Sequence, residues 1–215
     1  MKVLLINGSS KTKGNTALAL DTAAMVFADN KIETDRIDIG KAAIHGCVGC
    51  GACFQKQNRR CVQFTDDPVN EWLEKILTAD GLMIGSPVYY AGINGALKAL
   101  LDRAFFVAAG NGGLMRHKVG AAVTAVRRAG SLPALEQIHK YFSISEMFMP
   151  SGNYWPQVFG LAPGEGAGDD EGLQCVGVLA ANMAWLMKLM DYGREALPPP
   201  AAQNKVKTNF IRNRP

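Results

Sequence analysis

The chain opens on a short unbroken apolar run, Lys2–Gly8 (KVLLING), that ends on glycine and predicts a buried parallel strand. Asn15–Asp29 follows with apolar residues at helical spacing, Leu18, Met25 and Val26 among them, and Asn15 or Thr16 is placed to cap its start. Lys31–Ile39 alternates as a second strand. Asp67–Ala79 reads as a helix with Pro68 in its first turn. Gly81–Ser86 (GLMIGS) is a third strand, Asn94–Phe106 an apolar helix, Lys118–Val126 a fourth strand and Ser131–Tyr141 a further helix. Glu146–Met149 is expected as a short fifth strand. A Gly-rich linker, Ala162–Gly168, then leads into a long closing helix over Asp169–Glu195.

Strands that alternate with helices at this spacing imply an α/β fold, a doubly wound five-stranded parallel sheet. Such sheets bind their ligand beyond the carboxyl ends of the strands, where the winding reverses. Three loops fall there: Ser9–Asn15, Pro87–Asn94 and Arg127–Gly130. No repeat or second domain is evident. The expected organisation is one domain over 1–196, with a cysteine motif inserted at 45–63 and an extended tail over 197–215.

The first rim loop reads Gly8-Ser9-Ser10-Lys11-Thr12-Lys13-Gly14-Asn15-Thr16. Free backbone N–H groups and the positive end of a helix dipole make that position an anion site. Ser9, Ser10, Thr12, Asn15 and Thr16 add small donors, and Gly14 allows a close approach of backbone. A dinucleotide fingerprint would need glycine where Ser10 stands, and a Walker loop would need glycine where Lys13 stands. A hydroxyl-rich loop without either signature suits a phosphate monoester such as that of FMN. The competing reading is a Ser/Gly turn that only joins two elements.

The second rim loop, Ser86-Pro87-Val88-Tyr89-Tyr90-Ala91-Gly92-Ile93-Asn94, leaves the sheet at a proline and carries two flat aromatic side chains with polar tips. These suit a place beside an isoalloxazine ring, or else a core or interface. Together, GSSKTKGNT and SPVYYAGINGALKALLDR resemble the NADPH-dependent FMN reductase branch of the flavodoxin-like superfamily over about residues 1–150. That resemblance implies a flavodoxin-like sheet of strand order 2-1-3-4-5 and an FMN-dependent oxidoreductase of the NAD(P)H-dependent reductase type. By the same resemblance Ser9, Lys11, Asn15 and Thr16 hold phosphate, while Pro87, Val88, Tyr89 and Tyr90, with Gly92, border the ring. Chemistry takes place at the flavin N5, and no side chain is expected to act as acid or base.

Arg127-Arg128-Ala129-Gly130 occupies the third rim position. In relatives this loop lies near the pyrimidine edge of the flavin, where positive charge favours the reduced anion. The family usually has a Gly-rich stretch here, so Arg127 and Arg128 depart from it. They suit the phosphates of a nicotinamide cofactor, or are solvated charges at a helix start.

Four of the five cysteines crowd into one stretch, Cys47-x2-Cys50-x2-Cys53-x7-Cys61, with Gly46, Gly49 and Gly51 among them. Thiolates at this spacing on a tight turn can converge on one centre, and their softness favours iron–sulfur or zinc. The spacing differs from the bacterial ferredoxin run, whose fourth cysteine comes sooner and precedes proline; Val62 follows here. It resembles the compact motif of the iron–sulfur flavoproteins, a subgroup of the same family with a [4Fe–4S] cluster, and its gap of seven is long for them. Reduced thiols without metal, zinc and a redox disulfide remain alternatives. His45 borders the motif as a spare ligand or an exposed loop histidine, and Cys175 reads as a small buried residue.

Charge and composition narrow the partners. The net charge is +4, but four of the 23 Lys and Arg (Lys205, Lys207, Arg212 and Arg214) lie after Leu197 with no acidic residue. That leaves 19 basic against 19 acidic residues in the body, a neutral domain with a solubilising tail rather than a nucleic-acid or membrane binder. No run of eighteen apolar residues and no leader is seen, so the expected location is cytoplasmic.

Three readings of the work follow. In the first, FMN, loaded by NAD(P)H or a ferredoxin-type donor, exchanges electrons with a [4Fe–4S] cluster and then an acceptor. In the second, a cluster-free reductase acts on quinones, nitro compounds, azo dyes or free flavin. In the third, the protein is a non-catalytic electron carrier or redox sensor. Tyr154 and Trp155 fall where relatives cover the flavin or meet a neighbouring subunit. The closing helix, apolar nearly all round, points to a homodimer or homotetramer, or to packing on its own sheet.

Overall fold

The computed structural model describes residues 1–206. Five strands, β1 (Lys2–Asn7), β2 (Glu33–Asp38), β3 (Gly81–Pro87), β4 (Val119–Val126) and β5 (Gln157–Phe159), form one sheet in the order β2-β1-β3-β4-β5. Every pairing is parallel. Among the described residues six helices surround it: α1 (Asn15–Asp29), α2 (Ala52–Lys56), α3 (Val69–Thr78), α4 (Gly95–Gly110), α5 (Ser131–Ile144) and α6 (Asp170–Gly193). A 3-10 turn, Glu165–Gly168, stands before α6.

The alternation of strand side chains divides the core into two layers. Leu4, Ile6, Leu82, Ile84 and Ala122 face α3, α4 and α5. Val3, Leu5, Met83, Ala121 and Val123 face α1 and α6. With helices on both faces, β1, β3 and β4 are buried along almost their whole lengths, which is why they read as unbroken apolar runs. α6 is long and apolar enough to cross a membrane, but Cys175, Val176, Leu179, Ala180, Met183, Ala184 and Met187 of it are buried, and it packs on α1 and β4.

The expected fifth strand is misplaced. Phe148 makes only an isolated bridge to Val119, and β5 begins at Gln157. Pro150 carries no N–H and cannot extend a ladder, so the chain bows away and rejoins the sheet where Gln157 pairs with Thr124. Neither Asn15 nor Thr16 caps α1; Gly14 holds the cap position and offers no side chain. The Gly-rich linker is partly ordered as the 3-10 turn, and the short α2 inside the cysteine motif was not anticipated. α4 runs to Gly110, one turn past the expected end. From Leu197 to Val206 the tail has no regular structure and is exposed, tethered where Arg116 donates to the carbonyls of Pro200 (2.7 Å) and Ala201 (3.3 Å). Lys207, Arg212 and Arg214 lie outside the described residues.

Candidate functional site

The carboxyl ends of β1, β3 and β4 open into one cleft, lined by Ser9, Lys11, Gly14, Asn15, Thr16, Pro87, Val88, Tyr89, Ala125, Arg127, Gly160, Leu161 and Pro163. This is the point between β1 and β3 where the winding reverses. Its floor is the loop that joins β1 to α1. Buried Asn7 accepts from the Ser9 amide (3.1 Å) and donates to Asp38 (2.7 Å), and Lys11 N–H donates to the Ser9 hydroxyl (3.0 Å). Behind the loop, Arg36 donates to the Thr12 carbonyl (2.9 Å) and is itself held by Asp38 and Asp21.

The first helical bond of α1 runs from Leu18 N–H to Gly14. The amides of Asn15, Thr16 and Ala17 precede it and have no helical carbonyl to meet. No side chain caps this end and no acidic residue occupies its first turn. The cleft lining contains two cations, Lys11 and Arg127, and no carboxylate. An uncapped helix start of this charge fits the phosphate of FMN. Pro87, Val88, Tyr89, Leu161 and Pro163 supply the apolar wall that a flat ring needs.

The Asn15 side chain is engaged by a neighbouring loop. Its Nδ2 donates to Ala162 O (3.0 Å), and its Oδ1 accepts from Gly164 (2.9 Å) and Gly166 (3.1 Å). The side chain thus fixes the loop that closes the cleft, while its backbone N–H stays among the unpaired amides of the helix start. The structure brings together Ser9, Lys11, Gly14, Asn15, Thr16, Pro87, Val88, Tyr89 and Arg127, but not Ser10, Tyr90, Gly92, Arg128 or Gly130. Tyr90 is fully exposed, with φ +49° at the tip of a turn closed by Tyr89 and Gly92. Gly130 (φ +91°) props that turn: a Cβ there would come within 2.9 Å of the Ala91 Cα. Sequence reasoning missed Ala125, Gly160, Leu161 and Pro163; the glycine and proline spacing of 160–164 was their only signal. Tyr154 and Trp155 line a separate hollow at the open edge of β4 with His139 and Asn153.

The four motif cysteines surround one small cavity, whose other walls are Val48, Ala52, Val62, Gln63, Phe64, Arg103, Phe106 and Val107. All five cysteines are free; Cys53 is buried, Cys61 half-buried, and Cys47 and Cys50 are exposed. Burial pushes the Cys53 thiol up, and the nearby Cys47 and Cys50 push it further, against the backbone N–H groups of Cys53 and Phe54. Gly110 lets α2 lie on α4, because a Cβ there would sit 3.0 Å from backbone of Cys53 and Phe54. Asn70 of α3 grips Cys61 twice, accepting from its N–H and donating to its carbonyl, both at 2.8 Å. His45 stacks on Phe64 (4.4 Å between centroids), an exposed loop histidine rather than part of the cavity. Among the described residues, no three His, Cys, Asp or Glu side chains converge closely enough to hold a single metal ion.

Residues 1–160 match the family of NADPH-dependent FMN reductases. An iron–sulfur flavoprotein of Methanocaldococcus jannaschii is 36% identical over 197 residues, covering 88% of this chain and 99% of that protein. An iron–sulfur flavoprotein of Methanosarcina thermophila is 29% identical, covering 91% and 100%. Among solved structures, RosB with a bound riboflavin-5'-phosphate derivative superposes with a TM-score of 0.68 at 17% identity, over 100% of this chain and 95% of that one. An archaeal flavodoxin gives 0.57 at 15% identity, over 87% and 99%. These two likenesses are of fold.

Proposed function

The chain belongs to the NADPH-dependent FMN reductase family and is an FMN-dependent oxidoreductase; on that premise we propose that it is an iron–sulfur flavoprotein, passing electrons between FMN, a [4Fe–4S] cluster and an acceptor. The observation that carries the cluster is the single cavity shared by Cys47, Cys50, Cys53 and Cys61. A lone tetrahedral ion with 2.3 Å bonds would draw its sulfurs to about 3.8 Å from one another. A four-iron cube holds its ligands farther apart, so sulfurs grouped around a cavity without closing on a point suit it better.

FMN, when bound, supplies a centre that takes two electrons together and releases them singly. The chain's part is placement. The amides at the start of α1, with Ser9, Thr16 and Lys11, hold the phosphate. Pro87, Val88 and Tyr89 fix one side of the ring, and Leu161 and Pro163 keep water from it. Arg127, at the end of β4, sets positive charge at the rim, where it favours the reduced anion or meets the phosphate of an incoming nicotinamide cofactor. Cys53 and Cys61, fastened by Gly110 and Asn70, would be the fixed ligands of the cluster; Cys47 and Cys50 would close it from the solvent side. The donor is NAD(P)H or a ferredoxin-type protein and the acceptor a small redox molecule or protein, in the cytoplasm.

Anaerobic purification tests this reading: about four irons and four sulfides per chain beside FMN are expected. Iron and sulfide near zero would leave the cluster-free NAD(P)H:acceptor reductase.

A further inference from the structure

Arg103 of α4 is the largest fully buried side chain among the described residues, and its side chain is 1% exposed. A guanidinium is rarely taken out of water without full pairing. Nη1 donates to the Asp67 carboxylate, 3% exposed, and to the His45 carbonyl at 3.3 Å. Nη2 donates to the Phe64 carbonyl at 2.9 Å. His45 and Phe64 flank the cysteine run in sequence, so one side chain ties both of its ends to α4.

The Nε–H, equally buried, has no partner among the described residues. A buried donor left bare calls for an acceptor. Arg103 lines the cavity that the four motif cysteines surround. Every other donor nitrogen of its guanidinium is engaged, and Asp67 already balances its charge. What remains to offer is one N–H, on a side chain that lines the same cavity as the four cysteines.

We propose that Arg103 tunes the redox potential of the cysteine-bound centre, its Nε–H donating to a sulfur there, a cysteine thiolate or an inorganic sulfide. The inference rests on the cluster reading above. One-electron reduction by an external donor such as dithionite adds a negative charge that is spread over the sulfurs. A hydrogen bond to sulfur strengthens with that charge, stabilises the reduced form and raises the potential. Arg103 is thus a positioning residue for the cysteine run and a direct donor to what the run holds. A residue that only tied the run down would leave no trace of its nitrogen on the cluster.

The test uses anaerobically purified full-length protein, reduced with dithionite and containing arginine labelled with nitrogen-15 at Nε alone. Pulsed EPR is expected to show a nitrogen-15 coupling to the reduced cluster, absent in Arg103→Lys and kept in the Arg59→Lys/Arg60→Lys protein. Spectroelectrochemical titration of Arg103→Lys is expected to give a lower midpoint potential at unchanged iron and sulfide content. No coupling from labelled wild-type protein overturns the proposal whether or not the variant folds. So does an unchanged potential in an Arg103→Lys protein with full iron. Wild-type protein with iron and sulfide near zero instead overturns the cluster reading, and this inference with it.

Discussion

Asn15 and Gly166 lie 151 positions apart in the chain and are joined by a hydrogen bond of 3.1 Å, from the Gly166 amide to the Asn15 Oδ1. Two more bonds from the same side chain, to Ala162 and Gly164, make the phosphate loop and the loop before α6 one unit. Asn15→Ala is expected to weaken FMN binding about tenfold, since losing hydrogen-bonded ties of this kind costs about 1.4 kcal/mol. Quenching of flavin fluorescence on titration into apo-protein measures it; an unchanged dissociation constant would show that the loop stands without the tie.

Asn70→Ala leaves the Cys61 N–H and carbonyl without their partner in a half-buried setting. The expected loss of stability is about 2 kcal/mol, with reduced iron content and unchanged FMN content. Urea unfolding and metal analysis check both, and equal losses of iron and flavin would contradict the separation of the two sites.

The Asp67 carboxyl feels burial, which alone would push it up. The hydrogen bond and charge of Arg103 and the amides of His45 and Val69 outweigh that and hold it below the usual aspartate range. A depressed folded value means that its contribution to stability is complete above about pH 4, the ordinary aspartate value, and is lost as pH falls through the lower folded value. Urea midpoints should therefore drop on acidification below about pH 4, most visibly in probes of the cysteine run. Asp67→Asn should be destabilised by about 3–5 kcal/mol at neutral pH, because Arg103 is left buried and unpaired.

At the other end of the scale, burial and the bond to Asp102 push the Tyr141 hydroxyl up to about 12, against the pull of Lys98. Between the ordinary tyrosine value of about 10 and that value, the folded chain keeps a proton that the unfolded chain loses, so stability falls as pH rises. Ultraviolet titration should show one tyrosine ionising late, and Tyr141→Phe should remove that step. Its persistence in the variant would assign it elsewhere.

Trp185, Leu189 and Tyr192 form an exposed stripe on α6 at the i, i+4, i+7 spacing of one helical face. The opposite face is spent on α1 and β4, so the stripe fits a second copy of the chain. Sedimentation velocity should give a dimer or tetramer, shifted toward monomer by Trp185→Glu. Monomeric wild-type protein at micromolar concentration would reject the assembly.

β1 to β4, the five longer helices and the phosphate loop were legible in the chain because each rests on local pattern: unbroken apolar runs, helical spacing, a glycine before a helix. The strand order came only through the family resemblance. β5 was not. Phe148 looks as strand-like as Val158, and only the proline two residues beyond Phe148 marks where pairing must stop. The closing wall at 160–163 was equally hidden, since its position depends on a bond to Asn15 from the far end of the sequence. The cysteine run was evident from spacing, yet its supports were not. Asn70 and Arg103 sit in helices that read as ordinary, and their partners are backbone groups no pattern reveals.

The cysteine run occupies the crossover between β2 and α3, and its fastenings come from α3 and α4. None comes from the strand ends that frame the flavin cleft. The scaffold is therefore modular: the run can be shortened, lengthened or stripped of its ligands without touching the frame around the phosphate loop. A flavin reductase and a cluster-bearing flavoprotein need differ by little more than one crossover segment and the two polar side chains on which it hangs.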